Sequence, residues 1–103
     1  TDAQLVLGRL RPGPLAGGAV TLDAGLARQA IETKLAKPLG LSVEDAAAGV
    51  IRLLEQNLLH AVERLSIERG HNPATFTLVA AGGAGPMHGT AVARALGSRR
   101  ALL

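Results

Sequence analysis

A long amphipathic pattern runs through the middle of the chain, from Ser42 to Gly70. Ser42 and Asp45 stand three residues apart just before it, the spacing of a capping box in which each side chain binds the other's free backbone amide. Gly70 favours the left-handed conformation that ends such a helix. The spacing predicts one helix of about 27 residues, roughly 40 Å long, which needs neighbours to cover its apolar face. The apolar positions recur every three or four residues: Ala47, Val50, Ile51, Leu54, Leu58, Val62 and Leu65.

The composition favours further helices around this pattern. Of the 103 residues, 48% are hydrophobic, which is enough apolar material for one compact core, and Phe76 is the only aromatic residue. The core is therefore expected to consist of Leu, Val, Ile and Ala, side chains that helices bury readily.

Two helices are predicted before the long one. Asp2 is expected to cap a short helix. Residues 11–18 contain two prolines and three glycines, which predicts a surface loop. A second helix is expected to begin near Asp23 and to stop at Pro38 and Gly40. Its apolar face comprises Leu26, Ala27, Ala30, Ile31 and Leu35.

The last part of the chain predicts a βαβ unit. Phe76–Ala80 is short, apolar and bounded by turn-forming residues, as a buried strand is. A glycine loop, Gly82–Gly85, follows directly, and a helix is expected from Pro86 to Gly97. Residues 101–103 would open a second strand, which requires a parallel sheet.

These elements predict a fold class that is α/β and helix-dominated, with a long helix, helical neighbours and a C-terminal βαβ unit. Residues 1–70 are expected to be mainly helical, and residues 76–103 to form strand, glycine loop, helix and strand start. The chain has no initiator methionine, and its last three residues are an apolar run that breaks off. We therefore expect residues 1–103 to be a single fragment of a larger domain.

The glycine loop, made of Gly82, Gly83, Ala84 and Gly85, is the first candidate site. Glycines let the backbone approach a ligand and adopt positive φ, and free amides at the start of the next helix point outward. This arrangement indicates binding of an anion or a nucleotide. A tight turn that needs small residues for packing explains the same sequence equally well, and both interpretations stand at this point.

His88 is the second candidate, because it lies in the first turn after the glycine loop. We expect it to tune the site through hydrogen bonds, without serving as an essential acid or base. His60, within the long helix, and His71, at its end, are expected to have surface or capping roles. No pair of histidines has the spacing of metal ligands, and no catalytic residue or metal ligand is assigned within the chain.

Charge and cysteine content narrow the classes of partner. The net charge is +3, but acidic and basic residues alternate and no Tyr or Trp is available to stack on bases, which argues against nucleic acid. The absence of cysteine excludes disulfides and thiolate metal sites. No apolar run approaches the roughly 18 residues that span a bilayer, so no membrane partner is expected, and a cytoplasmic location is the default.

Three stretches together resemble the hydantoinase A and 5-oxoprolinase family, in order and spacing along the whole chain. They are residues 1–10, reading TDAQLVLGRL, residues 66–73, reading SIERGHNP, and residues 79–88, reading VAAGGAGPMH. Two positions depart from the family pattern, because Gln4 stands where asparagine is expected and Asn72 where aspartate is common. The GPMH ending of the third stretch is more similar to the hydantoinase branch than to the oxoprolinase branch.

This resemblance implies an ATPase domain of the actin and sugar-kinase type, whose two lobes close on ATP. Family members use ATP to activate a cyclic amide, such as a hydantoin or 5-oxoproline, or a related carbonyl substrate. The resemblance places Gly82–Gly85 against the adenosine and ribose side of ATP, and His88 is expected to be a further cofactor-binding residue because it follows this loop. The family's phosphate loop and its acid for Mg²⁺ have no counterpart here, so the chain alone is expected to be inactive. The implied partners are ATP, the cyclic amide, the rest of the parent chain and a second, hydantoinase B-type subunit.

Two rival interpretations remain. Gly83, Gly85 and Gly89 form a variant of the dinucleotide-binding turn, although the acid that such a motif needs would lie beyond Leu103. A non-enzymatic interaction module, in which the long helix docks on a partner, is the other rival.

Overall fold

The computed structural model describes residues 1–103 and confirms a helix-dominated α/β chain. Contacts divide it into two compact units, Thr1–Arg52 and Leu53–Leu103. The helices are α1 (Asp2–Val6), α2 (Ala24–Ile31), α3 (Lys37–Leu39), α4 (Val43–Ile67) and α5 (Gly85–Leu96). The strands are β1 (Gly13–Leu15), β2 (Val20–Leu22), β3 (Leu78–Val79) and β4 (Ala101–Leu102). None of the helices has both the length and the apolar content needed to cross a membrane.

The glycine- and proline-rich stretch of the first unit is the turn of a small hairpin. β1 and β2 pair antiparallel, with Gly13 opposite Leu22 and Leu15 opposite Val20. A 3₁₀ turn, Ala16–Gly18, connects them, and its three residues all adopt positive φ, at 52°, 69° and 93°. The prediction of an irregular loop over residues 11–18 is therefore wrong for residues 13–15. The turn reverses the chain direction, so that these residues pair with β2 as a strand.

The start of α2 is as predicted, and the Asp23 carboxylate accepts a hydrogen bond from the amide of Leu26 at 2.9 Å. Pro38 does not end the helical path. A π-helical segment, Glu32–Ala36, leads into α3, which contains Pro38 and ends at Gly40 in the left-handed conformation. A wider turn just before a proline compensates for its missing amide, so the chain continues to Leu39.

The core of the first unit is small and almost entirely aliphatic. Ala27 and Ile31 of α2 are buried as predicted, whereas Leu26 is 66% exposed and does not belong to the packed face. Most of the buried residues between these helices are alanines, whose small side chains allow the helix backbones to approach closely. The main cluster of buried residues is Ala3, Ile31, Ala36, Val43, Ala46, Ala47 and Ile51.

α4 is capped at its start by Ser42, whose hydroxyl accepts a hydrogen bond from the amide of Asp45 at 3.1 Å. The reciprocal bond from the Asp45 side chain, expected for a full capping box, is not formed.

Near the start of α4, Arg28 donates a hydrogen bond to Glu44 at 2.6 Å, which lowers the pKa of the Glu44 carboxyl from its ordinary value. Both side chains are about half exposed, so this ion pair contributes little to the stability of the fold.

α1 begins differently from the prediction, because Thr1 is its N-terminal flanking residue and Asp2 lies within the first turn without capping it. The unusual residue of α1 is Gln4. It is only 4% exposed, and neither atom of its side-chain amide has a hydrogen-bond partner. A buried unpaired amide is costly, since folding removes its water and replaces it with nothing.

Replacing this amide with an apolar side chain of similar shape should stabilise the first unit. We expect Gln4→Met to raise the free energy of local unfolding on the order of 1 kcal/mol, measured by native-state hydrogen exchange of the α1 amides in the full-length protein. Gln29→Met, at an exposed position of α2, is the matched control and should change nothing. Faster exchange in Gln4→Met would mean that a group outside this chain binds the Gln4 amide.

The second unit contains the predicted βαβ arrangement. β3 and β4 pair in parallel, with Leu78 opposite Ala101 and Val79 opposite Leu102, and α5 connects them. The first strand is shorter than predicted, because Phe76 still belongs to the 3₁₀ turn at Pro73–Thr75 and donates its amide to Pro73. Phe76 is also 53% exposed, its ring packed edge-on against His71 at 5.8 Å between centroids. The assignment of Phe76 to a buried strand is therefore wrong, and the strand itself is not buried, since Val79 is 64% exposed.

Candidate functional site

The glycine loop turns the chain from β3 into α5 with positive φ at a single position. Gly82 has a φ of 88°, which other residues rarely adopt, whereas Gly83 and Gly85 have no positive φ. A left-handed backbone is thus required at Gly82 only. All four residues from Gly82 to Gly85 are exposed.

The backbone amides of this loop are free. No acceptor within the chain binds the amides of Gly82, Gly83, Ala84 or Gly85, and no side chain caps the start of α5. Pro86 follows within the first turn and has no amide of its own to satisfy. Consecutive unpaired amides at a helix start form a donor surface for phosphate, ribose or other ligand oxygens.

The space in front of the loop is open. A Cβ atom added to Gly82, Gly83 or Gly85 would meet no atom within 4 Å. Gly89, one turn into α5, is different, because a Cβ there would lie 2.5 Å from Leu103 Cδ2 and 3.0 Å from the Cβ of Ala80. Close helix-strand packing therefore needs Gly89, whereas the loop glycines are not needed for packing within this chain.

His88 is buried beside the loop, at 6% exposure, and forms a pair with Glu55 of α4. Its Nδ1 atom lies 3.2 Å from Glu55 Oε1, and the Glu55 side chain is 21% exposed. Sequence reasoning did not identify Glu55, which is 33 residues from His88 and carries no local signal. The other two histidines, His60 and His71, are both exposed.

The chain does not enclose the loop. Open clefts of about 520, 360 and 300 Å³ lie elsewhere in the second unit, and none is lined by the loop or by His88. No group of three or more His, Cys, Asp or Glu residues is arranged to hold a metal ion. The loop therefore presents one open wall, with free amides and with open space around its glycines.

The fold and this wall together define a class of protein: a helix-rich α/β protein in which a glycine loop with free amides joins a parallel strand to a helix. The family model for hydantoinase/oxoprolinase matches residues 1–103. The chain belongs to this family, which confirms the resemblance in the sequence.

Two curated relatives and a solved structure support the assignment. The chain is 46% identical over 103 residues to the caprolactamase subunit alpha of Pseudomonas jessenii, and 48% identical over 88 residues to the acetone carboxylase beta subunit of Xanthobacter autotrophicus. These matches cover 100% and 85% of the chain but only 15% and 12% of the two relatives. The crystal structure of ATP-dependent caprolactamase from Pseudomonas jessenii matches with a TM-score of 0.88 and 46% identity, over 96% of this chain and 14% of that one.

Proposed function

We propose that this chain is part of an ATP-dependent enzyme that acts on cyclic amides, and that it contributes the adenosine-side wall of the nucleotide site. Membership of the hydantoinase/oxoprolinase family and the likeness to an ATP-dependent caprolactamase support the class of reaction. The chain spans only about one seventh of those relatives, so the rest of the machinery would be supplied by other parts of a longer protein.

The observation that carries the nucleotide assignment is the lack of any structural requirement for Gly83 and Gly85. Neither has a positive φ, and a side chain at either position would meet nothing in this chain. Two glycines beside unpaired amides are thus explained by a ligand that approaches the backbone closely. The donors fit a nucleotide, whose ribose and phosphate oxygens accept hydrogen bonds.

The assignment also limits what this chain does. Bound ATP would supply the phosphoryl chemistry that activates an amide carbonyl, and Gly82–Gly85 would bind and orient the nucleotide. No residue group here suits Mg²⁺, so its ligands are proposed to lie outside the chain, together with the phosphate loop. The isolated chain should accordingly show no ATP turnover.

The finer features of the enzyme are also proposals. An actin-like ATPase domain would place this wall against a second lobe, and a hydantoinase B-type subunit would complete the enzyme. Subunit names among the relatives support a multi-subunit assembly. Hydantoin or 5-oxoproline is the proposed substrate type, and a lactam substrate, as the caprolactamase name indicates for that relative, is of the same chemical class.

Hydrogen exchange with and without nucleotide tests the proposal in the full-length protein. We expect ATP to slow exchange at the amides of Gly82–Gly85, with little change at exposed amides of the hairpin β1–β2. NAD should have no effect on the loop. Protection by NAD instead of ATP would favour the dinucleotide interpretation, and no protection under saturating ATP would exclude a nucleotide wall here.

A further inference from the structure

We propose that Glu55 is a positioning residue for His88, holding the imidazole with its proton on Nδ1 so that Nε2 is left as a hydrogen-bond acceptor for the ligand. The inference rests on the proposed function for the identity of that ligand, but its structural part stands on the Glu55–His88 pair alone. The ligand group that fits is a donor of the nucleoside, such as a ribose hydroxyl.

The geometry assigns the proton. A carboxylate only accepts hydrogen bonds, so the ring nitrogen 3.2 Å from Glu55 Oε1 must be the one that donates. In a neutral imidazole the other nitrogen, Nε2, then carries the lone pair. His88 is 6% exposed, and burial restricts the ring to the orientation that this contact sets.

The Nε2 atom is available to a ligand. It has no hydrogen-bond partner in the chain, and the fully enclosed, unpaired polar side-chain atoms all belong to Gln4. Nε2 is therefore not fully enclosed, and His88 follows by three residues a loop whose amides are also free.

The charge of the pair argues against a phosphate contact. With a neutral imidazole the pair is an anion, and even with a protonated ring it is only neutral, so it offers no net attraction to phosphate. The loop amides supply donors, whereas Nε2 supplies an acceptor. Such complementary groups suit a nucleoside, which presents both hydroxyl donors and oxygen or nitrogen acceptors.

The first test reads the ring nitrogens directly. In the full-length protein labelled with ¹⁵N in its histidine rings, His88 should show a protonated Nδ1 and a bare Nε2, its signals being identified by their loss in His88→Gln. Glu55→Ala should remove this preference, whereas Glu63→Ala, on the same helix but without contact to His88, should preserve it. A wild-type ring with its proton on Nε2 would overturn the proposal, whether or not the protein binds ATP.

The second test asks whether the two residues act together on the ligand. Glu55→Ala should weaken ATP binding about fivefold, and the same change in a His88→Ala background should have no further effect. Glu55→Gln keeps a carbonyl that accepts from Nδ1, so it should retain both the tautomer and the affinity within about twofold, and it covers the case in which Glu55→Ala fails to fold. Equal weakening by Glu55→Ala with and without His88 would show that Glu55 acts only on the structure.

Failure of the two proposals can be told apart. If ATP gives no protection of the loop but the Nδ1 proton depends on Glu55, the nucleotide wall is wrong and the positioning role stands. If ATP protects the loop but the proton lies on Nε2, the opposite holds.

Discussion

Gly83→Val is expected to weaken ATP binding by the full-length protein at least tenfold, about 1.4 kcal/mol, while leaving a cooperative thermal melt. Gly83 has no left-handed φ, and a Cβ at this position meets no atom within 4 Å. A valine at Gly83 therefore causes no clash within the chain. It also avoids the backbone strain that a valine at Gly82, with its positive φ, would cause. Its methyl groups would occupy the space proposed for the adenosine or ribose, so the loss should fall on the ligand.

Calorimetric titration with ATP beside a thermal unfolding curve measures both effects. Gly83→Ala should give a smaller loss of affinity, since one methyl group fills less of the space. Gly49→Ala, in α4 and also facing open space, is the control for replacing a glycine and should leave affinity unchanged. Unchanged affinity for ATP in Gly83→Val would show that the loop is not part of the nucleotide site. Loss of the cooperative thermal transition would contradict the open space around Gly83.

Four helix ends could be predicted because each depends on a few contiguous residues, whereas the predictions that Asp2 caps α1 and that Pro38 stops the second helix were wrong. Asp23 and Ser42 bind the amides that capping chemistry requires, three residues further on. Gly70 and Gly97 adopt left-handed φ at the ends of α4 and α5. No distant part of the chain enters into these interactions, so the sequence alone is sufficient.

Burial could be predicted less well, because an apolar pattern identifies a face but not what covers it. Ala47 and Ile51 of α4 are buried, but further along the same pattern Leu58 is 38% and Leu65 64% exposed. Phe76, the only aromatic residue, is likewise about half exposed. Whether a helix face is buried depends on residues that are distant in the sequence. The periodicity of the helix itself contains no information about them.

The candidate site shows the same division. The loop Gly82–Gly85 and the nearby His88 follow from a strand, a glycine run and a helix start that are adjacent in sequence. The partner of His88 could not be found this way, since Glu55 lies 33 residues away in the sequence and meets His88 only in the folded chain. The sequence also could not distinguish the roles of the glycines, because the residue type is the same at each position. Gly82 is needed for its backbone conformation and Gly89 for close packing.

The packing role of Gly89 leads to the second large expected effect. We expect Gly89→Val to lower the free energy of unfolding by about 2 to 3 kcal/mol, because overfilling a tight contact forces backbone shifts. The two neighbours differ in how easily they move. Leu103 is 62% exposed and its side chain can rotate away, whereas the Ala80 Cβ is fixed to a backbone that donates to Leu102 at 2.9 Å. Relief therefore requires α5 and the strand to separate.

Thermal unfolding of the full-length protein, with hydrogen exchange of the α5 amides, measures this loss. Thr90→Val is the matched control, because it places the same β-branched side chain at the next position of α5, where the residue is exposed, and it should change stability by less than about 0.5 kcal/mol. Gly89→Ala should lie between the two, since its clash with Ala80 is offset by the better helix propensity of alanine, about 1 kcal/mol over glycine. A Gly89→Val protein as stable as Thr90→Val would show that α5 does not approach β3 as closely as this packing requires. The order Thr90→Val, Gly89→Ala, Gly89→Val in falling stability would instead assign to Gly89 the close contact that the loop glycines do not make.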